Sequence, residues 1–140
     1  MKGRFAGWRG WFAASILLVA MPLTRAGEVA GAPASPSSLQ QLLMGQAVVL
    51  RGEIDGRPIQ LSLKPKKDED GLEGRYFFFG GAPEILVAGE VEGDDLLMEE
   101  SANGKDVSGQ WEGRRQGQAL SGTWSSPDGA VTRSFSLQLP

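Results

Sequence analysis

The chain has 140 residues and a net charge of −3, and it combines 41% hydrophobic residues with 20 glycines and 8 prolines. This composition is typical of a single turn-rich β domain rather than of a disordered chain. The chain contains no cysteine and no histidine, which excludes disulfides, thiolate nucleophiles, Ser-His-Asp catalysis and the usual zinc or copper ligands. We therefore expect no cofactor and no metal centre, and only carboxylates, hydroxyls, lysines and Tyr76 remain for chemistry.

The first 26 residues have the pattern of a secretory signal peptide. Three basic residues precede the 13-residue apolar run 11–23, and Thr24 and Ala26 supply the small residues of a cleavage site. This run is shorter than the roughly 20 residues that span a bilayer comfortably. We predict that residues 1–26 are removed and that the protein is periplasmic or secreted. An uncleaved N-terminal anchor is the alternative.

The charge of the mature chain limits the possible partners. Cleavage takes away four of the 14 basic residues and none of the 17 acidic ones, so the net charge becomes 10 minus 17, or −7. Nucleic acids and anionic membrane surfaces both need a basic face, so we expect neither as a partner after cleavage. The charge is compatible with a basic exported or envelope protein, with a divalent cation, or simply with solubility.

A short helix follows a linker. Residues 27–37 have the composition of a flexible linker, and Ser37 or Ser38 then caps a predicted helix at 38–44. A helix of about two turns is not stable alone, so it must pack against another surface. Its apolar face carries Leu39, Leu42 and Leu43.

From residue 47 onward the apolar residues recur with a period of two, which indicates β-strands. The alternating stretches on either side of Asp55-Gly56 predict a tight hairpin. We interpret the charged loop 64–71 as a solvated connection. The predicted register of the first hairpin pairs Val48 with Leu63, Leu50 with Leu61 and Gly52 with Ile59.

The second hairpin, residues 72–79 with 84–91, is apolar on both faces at one end. A sheet with one solvated face normally alternates between apolar and polar residues, so this hairpin has a second apolar face to cover. The predicted register pairs Phe78 with Ile85, Phe77 with Leu86, Tyr76 with Val87 and Gly74 with Gly89.

This second face carries Phe77, Phe79 and Leu86, and monomers rarely expose a contiguous apolar patch of that size. The leucines of helix 38–44 have no other assigned partner in the mature chain. We predict that the helix packs across the three residues. The alternative is that they remain exposed and form a partner-binding surface.

Four further strands complete the chain. Gly93-Asp94 is a tight turn into strand 96–100, with Val91 facing Leu96. Ser126-Pro-Asp-Gly129 is a turn into strand 131–139. Between them lies a central hairpin with its turn at Gln116-Gly117, whose predicted register sets Trp111 opposite Gly122 and Trp124 opposite Gly109.

The predicted fold is all-β, with about eight antiparallel strands in an up-and-down meander or small barrel and a short N-terminal helix. Residues 38–140 form this single domain. Eight strands are enough to close a barrel that is filled by its own side chains or holds one small ligand. An open, strongly curved meander is the alternative. Glycines without side-chain bulk allow tight curvature on the aromatic face, and they stand at 52, 74, 89, 109 and 122.

Three strands share a Gly-x-aromatic motif: Gly74-Arg-Tyr76, Gly109-Gln-Trp111 and Gly122-Thr-Trp124. Together with the stretches 85–89, 97–99 and 120–129, this motif resembles small secreted or periplasmic bacterial β-meander proteins, most of them of uncharacterised function. The resemblance covers residues 47–139. It implies a fold and a location rather than an activity.

Two shorter segments resemble other families. Residues 111–117 resemble one membrane-occupation-and-recognition-nexus (MORN) repeat. Residues 121–124, followed by Asp128-Gly129, resemble the opening strand of the avidin family, which implies a biotin-binding barrel. The avidin-like segment stands near the C-terminus of this chain, whereas the avidin family has it in the first strand. The MORN-like segment occurs in only one copy.

Candidate catalytic groups must be carboxylates. Six acidic residues surround the turn at 93–94, and paired carboxylates serve glycoside hydrolysis or hold calcium. Their spacing does not follow the alternating oxygen ligands of a calcium loop, so we interpret them as a solvated turn. The six are Glu90, Glu92, Asp94, Asp95, Glu99 and Glu100.

Alternation along the last strand places Arg133 on the inner face. A cation there needs a partner or a position at the barrel mouth, and we predict a structural ion pair with the inward-facing Glu100. A ligand-reading role for Arg133 is the alternative. If the barrel is open, the predicted ligand-binding residues are Tyr76, Trp111, Trp124 and Arg133.

Three functions are compatible with these features. We favour an exported, non-enzymatic protein-binding module of the inhibitor, immunity or envelope-accessory type, because the hairpin is apolar on both faces and the chain is acidic. The second is a small-ligand carrier, which requires Trp111 and Trp124 to line an open cavity rather than fill it. The third is a carboxylate-dependent hydrolase, which requires two carboxylates to converge in a cleft.

The export hypothesis predicts where the mature chain begins. Cleavage after Ala26 leaves Gly27 as the first residue, so N-terminal sequencing of the exported protein should begin there. Recovery of an intact Met1 in the membrane fraction would instead establish the uncleaved anchor.

Overall fold

Period-two alternation and frequent tight turns fold residues 36–140, the part of the chain described by the computed structural model, into one helix and eight strands. The predicted signal peptide and residues 27–35 of the linker lie outside the described residues. Within 36–140 no helix is long and apolar enough to cross a membrane. The elements are α1 (Leu39–Gly45), β1 (Val48–Ile54), β2 (Arg57–Pro65), β3 (Leu72–Phe78), β4 (Ile85–Glu92), β5 (Asp95–Ser101), β6 (Gly109–Gln116), β7 (Ala119–Ser125) and β8 (Thr132–Gln138).

The eight antiparallel strands form a closed up-and-down barrel. Each strand pairs with its neighbour in sequence, and the last strand returns to the first: Ile54 of β1 stands opposite Phe135 of β8, and Arg51 opposite Gln138. Closure confirms the predicted barrel and makes the open-meander alternative wrong. Because a closed barrel has no sheet edge, every strand contributes alternate residues to one shared interior.

The registers of two hairpins are confirmed. Val48, Leu50 and Gly52 stand opposite Leu63, Leu61 and Ile59. Both residues of the turn between these strands, Asp55 and Gly56, have positive φ, at 50° and 76°, as a type I′ turn requires. Val91 likewise stands opposite Leu96 across the β4–β5 turn.

The predicted register of the β3–β4 hairpin is wrong by two residues. Tyr76, rather than Phe78, stands opposite Ile85. Phe77 and Phe78 pair only with β2, opposite Gln60 and Ile59. The stagger between strands that barrel closure demands therefore lets β3 extend past the start of β4.

The register of the central hairpin is also shifted by two, and its turn explains the shift. Gln116 pairs with Ala119, so the turn residues are Gly117 and Gln118, and Gly117 has a φ of 61°. A type II′ turn has glycine in its first central position, whereas the prediction placed this glycine second. Trp111 consequently stands opposite Trp124, and Gly113 opposite Gly122.

One half of the predicted tryptophan–glycine packing survives the shift. A Cβ added to Gly109 would lie 2.4 Å from the Trp124 indole nitrogen, so this indole does cover Gly109. Gly122 is not covered by Trp111. A Cβ there would collide with the backbone of β6 at Glu112, so glycine is needed because the two strands approach each other closely.

Helix α1 plugs one end of the barrel. The Ser38 hydroxyl accepts a hydrogen bond from the Gln41 amide at 3.2 Å, as predicted for the helix cap. The backbone amide of Gln40 donates to the Gly93 carbonyl at 2.8 Å, and that of Leu39 donates to Asp94 Oδ1 at 2.9 Å. The three apolar residues of its buried face join the barrel core: Leu39, Leu42 and Leu43.

The predicted position of the helix on the outer face of β3 and β4 is therefore wrong. The leucine side chains can be removed from water completely inside the barrel end, where Leu39 and Leu43 are 0% exposed. The outer face of the hairpin stays uncovered, with Phe79 52% and Leu86 49% exposed. The interior offered more complete burial than a solvent-facing sheet surface would have done.

The plug predicts a large difference between two chemically identical substitutions. Leu43→Ala should lower the free energy of unfolding by about 2–5 kcal/mol, because it removes a fully buried side chain and leaves a cavity. Leu97→Ala is the matched control, since Leu97 is 56% exposed on β5, and it should cost about 0.5 kcal/mol or less. Urea denaturation measures both. Equal destabilisation by the two substitutions would contradict the plug.

Candidate functional site

The barrel brings together the four residues predicted to bind a ligand. Trp111, Trp124 and Arg133 lie side by side across β6, β7 and β8. The Tyr76 ring packs edge-on against the Trp111 ring, with their centroids 5.1 Å apart. The Arg133 guanidinium carbon lies 5.4 Å from the centroid of the Trp124 ring. Alternation correctly predicted the inner face for these four residues, and the strand registers bring them to one end of the barrel.

Glu100 is the polar centre of this cluster. It lies on the inner face of β5 and is 4% exposed. Its Oε2 accepts a 2.7 Å hydrogen bond from the Tyr76 hydroxyl and a 2.8 Å hydrogen bond from the Trp111 indole nitrogen. The Ser108 hydroxyl lies 3.4 Å from Oε1. The carboxylate therefore ties β3, β5 and β6 together inside the barrel.

The predicted ion pair between Arg133 and Glu100 is wrong. Within residues 36–140, the ion pairs formed at up to 4.0 Å include neither residue. Arg133 is exposed at the barrel mouth, over the Trp124 ring. The barrel mouth was the other position that the sequence analysis allowed for an inward-facing cation. Tyr76 and Trp111 donate to Glu100 instead, because both side chains are buried and their donors need an acceptor.

The environment of Tyr76 raises the pKa of its hydroxyl well above the usual range. The largest cause is burial, which disfavours the tyrosinate anion. The hydrogen bond to Glu100 and the negative charge of that carboxylate act in the same direction, whereas the positive charges of Arg133 and Arg57 oppose them. Tyr76 therefore serves as a hydrogen-bond donor and not as a base.

The interior around this cluster is occupied by side chains. Trp111 is 0% exposed and Tyr76 2%. The ring centroids of Trp111 and Phe135 are 4.8 Å apart. Leucines, valines and isoleucines from the strands, together with the plug leucines, complete the same core. Trp111 thus fills space rather than lining an open cavity, whereas Trp124 is only partly buried against the same core.

A groove of about 810 Å³ lies on the outer surface of the barrel. It runs across β1 to β5 and is bordered by the loop at 104–107. Of the six large hydrophobic residues that are exposed within 36–140, three line this groove: Val49, Leu86 and Val107, which are 56%, 49% and 42% exposed. Ser62 of β2 and Arg75 of β3 stand between Val49 and Leu86 in the strand registers, so the groove presents separate apolar positions with polar side chains between them.

Ion pairs lie between and around these apolar side chains. Lys64 lies 3.5 Å from Glu73, Lys66 lies 3.4 Å from Glu69, and Arg75 lies 3.1 Å from Glu84. Five of these six residues line the groove, the exception being Glu84. Because the charges are matched locally, the groove has no strong preference for a cation or an anion.

One of the three predicted partner-binding residues lines this groove. Leu86 lines the groove, but Phe77 and Phe79 are not among its lining residues. The two phenylalanines contact each other instead, with ring centroids 5.4 Å apart. The exposure of Phe79 and Leu86 is consistent with the alternative that this apolar surface stays uncovered. The groove also contains exposed Val49 and Val107, which the sequence analysis did not identify.

The acidic residues around the β4–β5 turn have separate structural positions. Asp94 accepts a hydrogen bond from the first turn of α1, Asp95 pairs with Arg114 at 2.8 Å, and Glu100 is buried. Glu90, Glu92 and Glu99 point outward and are exposed. Within the described part of the chain, no three acidic residues converge in a way that could hold a metal ion.

Comparison with known proteins provides no relative for this chain: no protein-family model, no curated protein and no solved structure matches it. The resemblances to β-meander proteins, to a MORN repeat and to the avidin strand therefore stay predictions from sequence.

The raised pKa of Tyr76 predicts how the protein responds to alkali. Free tyrosine ionises at about pH 10, so the neutral form favoured in the barrel stabilises the fold below that pH. This stability should fall above pH 10 by about 1.4 kcal/mol per pH unit as the unfolded tyrosine ionises. Tyr76 is the sole tyrosine, so tyrosinate absorbance reports it alone. Absorbance should rise only with unfolding, and reversible ionisation of the folded protein near pH 10 would refute the assignment.

Proposed function

We propose that this protein is an exported, non-enzymatic binding module that recognises another protein through the outer groove at Val49, Leu86 and Val107. The observation that carries the proposal is the exposure of these three apolar side chains on one concave surface. Exposed apolar patches bordered by polar residues are typical of protein-interaction sites. The ion-paired residues among these apolar side chains supply polar groups of the kind that protein interfaces also contain.

Features of the groove favour a protein over a small molecule. The three apolar side chains are about half exposed, so the groove is open to solvent. Small-ligand pockets are more enclosed and bury most of the ligand surface. An open groove of this kind can bind side chains on the surface of a folded partner or along an extended segment of one. Because the barrel has no unpaired edge, the partner cannot be bound by adding a strand to the sheet. Recognition then depends on side-chain contacts.

Net charge supports a basic exported or envelope protein as the partner. Residues 36–140 contain 10 basic and 16 acidic residues, a balance of −6. The groove itself is locally neutral, so this charge acts at longer range. It would raise the rate of encounter with a basic partner more than it strengthens the final contact.

A pair of leucine substitutions tests the groove. Leu86→Glu places a carboxylate at an apolar position of the groove. Burying a leucine side chain against a partner contributes about 1.5–3 kcal/mol to the binding free energy, so its loss should weaken binding tenfold or more. Leu97→Glu is the matched control, since Leu97 is similarly exposed on β5 but lies outside the groove. Immobilised wild-type and variant proteins are exposed to an envelope extract, and the retained proteins are quantified.

We expect a protein that wild type and Leu97→Glu retain and that Leu86→Glu loses. A photo-crosslinking residue at position 107 should then attach to that same protein. Retention of identical proteins by all three baits, or of none, would contradict the proposal.

A further inference from the structure

Two arginines stand at the barrel mouth, at the end opposite the plug. Alternation in β2 and β8 places Arg57 and Arg133 on the inner face, and both side chains are exposed. No carboxylate among residues 36–140 lies within ion-pairing distance of either one.

Each guanidinium lies over an aromatic ring. The Arg57 guanidinium carbon is 4.0 Å from the Phe78 centroid, and that of Arg133 is 5.4 Å from the Trp124 centroid. A cation–π contact attracts the guanidinium without neutralising its charge, and the N–H donors that do not face the ring remain available to an acceptor. The rings therefore preorganise both cations without neutralising them.

The two arginines flank the same region. Arg57 stands opposite Ile54, Ile54 stands opposite Phe135, and Arg133 is two residues from Phe135 on the inner face. The Phe78 ring under Arg57 also contacts the Tyr76 ring edge-on, with their centroids 5.7 Å apart. An anion held at the mouth could thus interact with both guanidiniums.

Partly buried apolar side chains surround the cations. Phe78, Ile85 and Trp124 pack against the core and remain incompletely covered. Below them Glu100 is the nearest inward-facing carboxylate, and its Oε2 is occupied by Tyr76 and Trp111. The inward-facing arginines outnumber the inward-facing Glu100 by one at this end. The exposed Asp55 of the β1–β2 turn lies beside them, where its amide donates to the Ser134 carbonyl at 2.8 Å.

We propose that the barrel mouth binds a small amphipathic organic anion. Its anionic group lies between Arg57 and Arg133, and its apolar body rests on Phe78, Ile85 and Trp124. A carboxylate, sulfonate or phosphate monoester has the acceptor geometry that guanidinium edges match. This site lies apart from the outer groove and does not depend on the protein-binding proposal.

Calorimetric titration with phenylacetate and its neutral analogue phenylacetamide tests this site. The two probes share an aromatic body and differ in charge, so phenylacetate should bind at least tenfold more tightly. Arg57→Gln and Arg133→Gln should each weaken phenylacetate binding about tenfold or more, since a hydrogen bond to a charged group is worth about 1.5–3 kcal/mol. Thermal unfolding confirms that each variant is folded.

Two control variants show whether phenylacetate binds at the barrel mouth. Arg51→Gln removes the same charge from an exposed, outward-facing position on β1 and should bind phenylacetate like wild type. Leu86→Glu alters the outer groove and should also leave binding unchanged. No binding of phenylacetate, equal binding of the neutral analogue, or equal weakening by Arg51→Gln would overturn the inference.

Discussion

Pairing of the last strand with the first is the constraint on which the rest of the molecule depends. Once Phe135 stands opposite Ile54, no edge remains for another strand, and every inward residue must share one interior. That interior is too small to stay empty beside a buried tryptophan, a tyrosine and a phenylalanine. Closure therefore moves possible binding sites to the two surfaces that remain, the outside of the sheet and the barrel mouth.

Inside the barrel, one carboxylate organises the large side chains. A buried charge is costly unless hydrogen bonds satisfy it, and Glu100 obtains its donors from Tyr76 on β3 and Trp111 on β6. Apolar packing alone would tolerate several arrangements of these rings. The shared acceptor specifies one arrangement, and this leaves Arg133 available at the mouth rather than paired in the core.

Local rules predicted much of the fold. Alternation and the Asp55-Gly56 turn were sufficient for the first hairpin and for the inward positions of Tyr76, Trp111, Trp124 and Arg133. The β3–β4 register depends on stagger across the whole barrel, and the destination of α1 depends on which surface offers fuller burial, so neither follows from a local pattern. The groove could not be predicted because it depends on the loop at 104–107 lying beside Leu86. The apolar Val49 at an outward-facing position was nevertheless a signal of an exposed apolar surface that the sequence contained.

The central claim is that the interior is closed and filled around Glu100, so that recognition takes place outside it. Hydrogen exchange of the Trp111 indole N–H, followed by NMR, tests this most directly. This hydrogen is bonded to Glu100 in the core, so it should exchange only through global unfolding, with an exchange free energy equal to the free energy of unfolding. Exchange as fast as that of a solvent-exposed indole would contradict the account and would indicate an open barrel.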